Sequence, residues 1–229
     1  MAINSVLKGI EDRIGNGLVA ANFTNTATGT YSSGGNNYKY ITFTGSGTLT
    51  VNQAGYADVL IVGGGGAGAQ TSNDYAGGGS GGLYYDENIF LEAISYTVTV
   101  GGGGSGGNPA NPGVTSSLGT VAKIGGGMGG YANNGYPRRG INGYGGGGSA
   151  GGFASSDIGA TYGNGAGAGG TVFGSNNKDG RSISITGSAV TYATGGTASS
   201  SGAGSANTGN GGGYAAAGGS GIVVVRVLT

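Results

Sequence analysis

The chain has 229 residues, of which 61 are glycine, with 9 basic and 9 acidic side chains and neither histidine nor cysteine. Zero net charge removes the electrostatic reason to expect nucleic acid or an anionic membrane as partner, and the usual bases, thiol nucleophiles and metal ligands are missing. Three prolines and clustered glycines exclude collagen, while β-branched runs within a 36% hydrophobic composition argue against disorder of the whole chain.

In chain order, residues 2–14 (AINSVLKGIEDRI) carry the one helical pattern. Ile3, Leu7, Ile10 and Ile14 follow a spacing of four, three and four, and Gly15 and Gly17 supply a stop signal. Isoleucine at both seam positions favours a three-stranded assembly. The plainer alternative lays this apolar face on the protein's own body. The N-terminus lacks the apolar core of a signal peptide, and no stretch reaches the roughly 18 apolar residues of a membrane span, so no membrane insertion is expected.

Beyond Gly17 the period changes to two. Tyr38 to Phe43, Thr48 to Val51 and Ala57 to Val62 read as strands, with turns at Thr44 to Gly47 and Asn52 to Gly55. Leu49 and Val51 alternate with threonines, the pattern of a half-buried strand. The run Val59 to Val62 does not alternate and belongs at the centre of a sheet. Further strands are expected at Tyr96 to Val100, Thr120 to Ile124, Ser182 to Thr186, Val190 to Ala193 and Ile222 to Leu228. Arg226 is the oddity of the last run: it either snorkels at an edge or pairs with an acid.

Glycine tracts follow several strands, near Gly63, Gly77, Gly101, Gly125, Gly145, Gly165 and Gly211. Gly63, Gly65 and Gly68 satisfy G-x-G-x-x-G after a buried strand, and Asp86 lies about 20 residues on, as a dinucleotide site requires. The residues that follow, Gln70 to Gly82, have no helical period, and a pyrophosphate site needs a helix N-terminus. No Gly-Lys-Ser/Thr follows any tract, which removes a P-loop. Polyglycine II, an extended helix with three residues per turn, suits the tracts better. Packed side by side, such helices satisfy one another's backbone groups; a single tract gains nothing for its large ordering entropy. Flexible linkers are the less economical account of so many tracts joined to strands.

Asp86 and Glu87 are adjacent and point to opposite faces of an extended segment, which does not suit a glycosidase pair. Asn176, Asn177 and Asp179 lack the spacing and terminal glutamate of a calcium loop. No catalytic set, cofactor site or metal site is therefore expected. Binding chemistry is better represented. The insert Tyr131 to Tyr144 (YANNGYPRRGINGY) gathers Tyr131, Asn133, Asn134, Tyr136, Arg138, Arg139 and Tyr144 around Pro137. Tyrosine and arginine give contact area and directional hydrogen bonds and are enriched at binding hot spots. Tyr75 beside Asp74, Tyr84 with Tyr85, and Phe153 to Asp157 are weaker candidates. The competing structural account packs these tyrosines over exposed glycine backbone.

The pattern YKYITFTGSGTLTV, ADVLIVGGGGAGA, YTVTVGGGGSGG and GGSGIVVVRV resembles the glycine-rich domain widespread in bacteriophage tail-fibre and related virion proteins. The resemblance covers about Tyr38 to Val227, and its specific parts are the Val62/Gly63 junction, the TVTVGGGG element and the closing strand. More loosely, the chain is similar to the polyglycine II adhesins that cap the long tail fibres of T-even-type phages, whose loops bind host surface molecules. It departs from them in carrying its own N-terminal helix and in lacking a repetitive shaft.

The expectation is an all-β, glycine-rich domain (18–229) with interleaved polyglycine II segments, preceded by an attachment or oligomerisation helix (1–17). The resemblance implies a virion protein acting as an adhesin. Its expected partners are other virion proteins at the helix and a host-surface glycan or protein at the loops, and it is expected to form a homotrimer. The alternatives are a capsid decoration, head-fibre or other structural protein without a receptor, and an ice- or surface-binding slab.

Overall fold

The computed structural model describes residues 19–72, 74–132, 153–154, 162–163 and 179–229. The described residues are all-β, with no helix among them. The expected helix over 2–14 lies outside the described residues.

Two antiparallel five-stranded sheets face one another. The first runs β2 (Gly29–Ser33), β3 (Asn36–Phe43), β17 (Ile222–Leu228), β5 (Gly55–Val62) and β8 (Leu83–Leu91) in spatial order. The second runs β1 (Asn22–Phe23), β4 (Gly47–Gln53), β9 (Ser95–Thr99), β10 (Ser116–Leu118) and β11 (Ala122–Ile124). Between them lies the main core: Val59, Ile61, Val223 and Val225 from the first sheet pack with Leu49, Val51, Val98 and Leu118 from the second. Each such fully buried aliphatic side chain contributes about 1.5–3 kcal/mol.

The first sheet is covered on its other face too. Leu60, Val62, Ile222 and Val224 pack against Ile183, Ile185, Tyr192 and Ala193 around the hairpin of β15 (Arg181–Ile183) and β16 (Val190–Tyr192). This is why Val59 to Val62 and Ile222 to Val225 read as unbroken apolar runs: successive side chains enter different cores. In β4, by contrast, Leu49 and Val51 are buried while Thr48 is exposed, as its alternation predicts. The strands β2 and β8 were not legible as strands. In β8 the period of two is broken by a bulge, where Glu87 and Asn88 together oppose Asp58 and Asn88 takes φ 59°.

The glycine segments leave the sandwich at one end. Val62 pairs with both Leu83 and Ile222, Thr99 with Ser117, and Ser116 with Ile124, so every one of these strand-to-segment junctions shares that end. The chain enters at the other: Tyr56, near the start of β5, bridges Ala20 and bonds to Val19 and Ala21.

The segment 63–68 occupies the middle of the resulting bundle and is buried throughout. Its amides donate with a three-residue repeat. Gly63 and Gly66 bond to Gly82 and Gly79, Gly64 and Ala67 to Val114 and Asn111, and Gly65 and Gly68 to Gly219 and Ala216. In each pair the partner number falls by three as the donor number rises by three, so all three donor-side neighbours run antiparallel. On the acceptor side, Gly64 and Ala67 receive Gly127 and Gly130, Gly65 receives Gly104, and Gly66 receives Gly212. The central segment thus has six neighbours, three on each side of the donor–acceptor balance. No amide of 63–68 is left over, and the carbonyls of Gly64, Gly65, Gly66 and Ala67 each accept a bond, as buried backbone groups require.

Glycine is required here by close approach. A Cβ on Gly64 would stand 2.0 Å from the Gly102 carbonyl oxygen, on Gly65 2.0 Å from that of Asn210, and on Gly68 1.9 Å from that of Gly213. Ala67 is the exception, its methyl lying in a small cluster with Ala69, Ala76 and Ala110.

Candidate binding tip of the glycine bundle

The segments that run out from the sandwich turn back at the far end of the bundle, and the turns collect there. Segment 63–68 ends in β6 (Ala69–Gln70), which pairs antiparallel with β7 (Tyr75–Ala76), and 77–82 returns. Segment 101–104 turns through 105–109, where Asn108-Pro109 is cis, and returns as 110–114. Segment 209–213 turns at Tyr214 and Ala215 (φ 54°) and returns as 216–221. Segment 125–130 leads into β12 (Tyr131–Ala132), which pairs parallel with β13 (Phe153–Ala154); β14 (Tyr162–Gly163) pairs parallel with β7.

This tip is aromatic and polar. The Tyr75 and Tyr214 rings meet edge to face with centroids 4.8 Å apart, joining two turns that are distant in sequence. Residues 105–109 are exposed, and Asn111 Nδ2 donates to Ser105 Oγ at 2.8 Å across the base of their loop. In the β6–β7 turn, the Thr71 amide donates to the Asp74 carbonyl at 3.0 Å and the Asp74 amide to Thr71 Oγ1 at 3.1 Å. Asp74 itself is fully buried.

Of the residues singled out in the insert, Tyr131 begins β12, so the insert is rooted at the tip beside Phe153. Asn133, Asn134, Tyr136, Arg138, Arg139 and Tyr144 lie outside the described residues, as do Ile3, Leu7, Ile10 and Ile14 at the other end of the chain. Tyr214, Asn108 and the burial of Asp74 were missed by sequence reasoning. The signal for Tyr214 was present, an aromatic residue between two glycine segments, yet nothing in the sequence joins it to Tyr75.

A second polar group lies toward the chain-entry end of the first sheet, around a surface cleft of about 200 Å³. Arg226 Nε donates to Asp58 Oδ2 at 2.7 Å and Nη1 to the Tyr31 hydroxyl at 2.6 Å, while its guanidinium lies over the Tyr38 ring at 4.7 Å. Burial works against the Arg226 charge. The hydrogen bonds to Asp58 and Tyr31 and the Asp58 charge outweigh it and hold the guanidinium above its ordinary value. Tyr85 donates to Glu87 Oε1 at 2.6 Å; burial first, then that bond and the Glu87 charge, push its phenol up to about 12. Tyr84 is likewise raised, by burial and then by Asp86. Arg226 is thus paired with an acid, and in a central strand rather than at an edge. Its polar groups answer one another, which is the arrangement of a structural clamp.

The bundle also disposes of the dinucleotide motif. Gly63, Gly65 and Gly68 spend their amides on Gly82, Gly219 and Ala216, so none remains to cradle a phosphate.

No curated protein matches the sequence. The family model for a glycine-rich domain matches residues 41–228, nearly the whole of the sandwich and its glycine bundle. The chain therefore belongs to the glycine-rich domain family.

Proposed function

We propose that the chain is a bacteriophage structural protein, a tail-fibre-type adhesin that holds the virion through its N-terminal residues and meets a host-surface receptor with the tip of the glycine bundle. The observation that carries this reading is the separation of ends. The chain enters beside Tyr56, at the start of β5, whereas the glycine segments leave from Val62 and return, so their turns gather away from the point of entry. A body fastened at one end and presenting turns at the other suits attachment and recognition. The resemblance to virion glycine-rich domains supplies the setting.

The three-residue repeat of donors along 63–68 supports taking the segments as polyglycine II helices, since a three-fold helix returns to the same neighbour every third residue. Such a bundle takes its order from backbone bonds and leaves the composition of the turns free to serve recognition. On this reading the insert rooted at Tyr131 carries the receptor contacts through Tyr136, Arg138 and Arg139, and the protein binds its target without transforming it.

The test is a particle carrying Tyr136→Ala with Arg138→Ala. Adsorption to host cells falls to background while the purified variant keeps the parent's unfolding temperature. Unchanged adsorption removes this insert from the site. A density map of the particle decides the setting: chains at the tail periphery support the adhesin, and chains on a lattice of capsid sites replace it with a decoration protein.

A further inference from the structure

The carboxylate of Asp74 is the one charge at the tip that the described residues leave unanswered. Its residue is 0% exposed, and neither Oδ1 nor Oδ2 has a hydrogen-bond partner. An aspartate in a turn commonly accepts an amide two residues on. Here the turn is closed in other ways, by the Thr71 amide to the Asp74 carbonyl and by the Asp74 amide to Thr71 Oγ1. The side chain is therefore not needed to make the turn. The described cations are engaged elsewhere or are distant in the fold: Arg226 holds Asp58, Lys39 donates to Asn22 and Phe23, Arg181 lies over Tyr85, and Lys123 is an exposed residue of β11. A buried carboxylate without a counter-charge is costly, and buried charges are paired or coordinate metals.

We propose that Asp74 is the anionic ligand of a hard cation, of the calcium class, bound beside Thr71 and Asp74 at the end of β6. The turn brings oxygen to the site: Thr71 Oγ1 meets the Asp74 amide and the Asp74 carbonyl meets the Thr71 amide, a hydroxyl and a carbonyl being ligand types that calcium accepts. The thiolate and imidazole ligands that favour transition metals are absent from the sequence, which holds no cysteine or histidine. A single carboxylate gives a weak site, with a dissociation constant on the order of 10⁻⁴–10⁻³ M, the range of extracellular modules. Filling it fixes the β6–β7 turn and, through Tyr75, its ring contact with Tyr214. The assignment stands whether or not the tip meets a receptor.

The test uses the full chain after removal of divalent ions. Adding CaCl2 raises the unfolding temperature saturably by several degrees, as binding to the native state alone requires, and NaCl at matched ionic strength does not. Terbium bound at the site luminesces on tyrosine excitation, because Tyr75 is adjacent, and calcium displaces it. Asp74→Asn abolishes both responses and, in EDTA, unfolds no lower than the parent, since it removes an unpaired charge. Asp86→Asn, on β8, leaves both responses intact. A parent whose unfolding temperature is unmoved by calcium overturns the assignment, even if Asp74→Asn does not fold. So does an Asp74→Asn that keeps the response. If Arg138→Ala with Arg139→Ala destabilises the calcium-free parent but not Asp74→Asn, the counter-charge is a guanidinium of this chain and the assignment is again overturned.

Discussion

Arg226 of β17 and Asp58 of β5 face each other in register across the central strand pair, and the guanidinium and carboxylate join directly, with side chains 12% and 14% exposed. Asp58 also accepts the Asn88 amide at 3.1 Å through its other oxygen, so one carboxylate fastens both the charge on β17 and the bulge in β8. Removing one partner of so enclosed a pair leaves the other charge stranded. Arg226→Ala is expected to lower stability by about 3–5 kcal/mol, whereas Arg226→Met with Asp58→Leu is expected to lose far less. Denaturant unfolding of both variants checks the difference.

Tyr85 gives a pH dependence of definite sign. Its phenol is raised to about 12 in the folded protein, against the usual 10, so the native state holds this proton more tightly than the unfolded one. The contribution is complete below pH 10 and is lost as pH climbs toward about 12. Glu87→Gln removes the acceptor's charge and should bring the ionisation of one phenolate in the ultraviolet titration to lower pH. Titration of the two proteins side by side reads this directly.

Two glycines separate close packing from mere composition. Gly65→Ala drives a methyl to 2.0 Å from the Asn210 carbonyl oxygen and should unfold the bundle, a loss of more than about 4 kcal/mol. Gly102 has open space at the same point, and Gly102→Ala should be neutral or stabilise by about 0.4–1 kcal/mol by narrowing the unfolded ensemble. Equal effects at both positions would show that the segments do not pack as described.

Amide exchange gives the same contrast without mutation. The amides of 63–68 are all bonded and buried and should exchange only on global unfolding. The exposed Gly106 should exchange freely. Uniform fast exchange across both would sink the bundle.

The seam Ile3, Leu7, Ile10 and Ile14 predicts a trimer organised through residues outside the described part of the chain. Solution mass should read three copies for the parent and one for Ile10→Asp, which sets three like charges together. A monomeric parent ends the trimer proposal and leaves the seam for a partner protein.

What the sequence disclosed depended on how locally each feature is determined. Val59 to Val62 announced a central strand because burial on both faces leaves its mark on every residue. Strand β8 hid because Asn88 interrupts its alternation, and β2, GTYSS, is exposed enough to carry little apolar signal. Segment 110–114 was passed over for having one glycine. Yet its place in the bundle needs a small residue only where a neighbour comes close, as Gly113 does to Gly64 and Gly65, and Pro112 is already suited to an extended helix. At the tip, composition drew attention to Tyr131 to Tyr144, while Asp74 was marked only as the neighbour of Tyr75, a weaker candidate. Its burial is set by segments far away in the chain, and no local pattern encodes that.

The six-neighbour bonding of 63–68 also has a mechanical meaning. Its bonds run between segments, across the long axis, and they are distributed over its whole length in a three-fold stagger. A pull on the tip directed along that axis does not open them one after another. It loads them together in shear, and the force enters the sandwich through β5, β8, β9, β10, β11 and β17, each covalently continuous with a bundle segment. Tension applied at the turns is thereby shared among strands of both sheets before it reaches the chain's point of entry at Ala20.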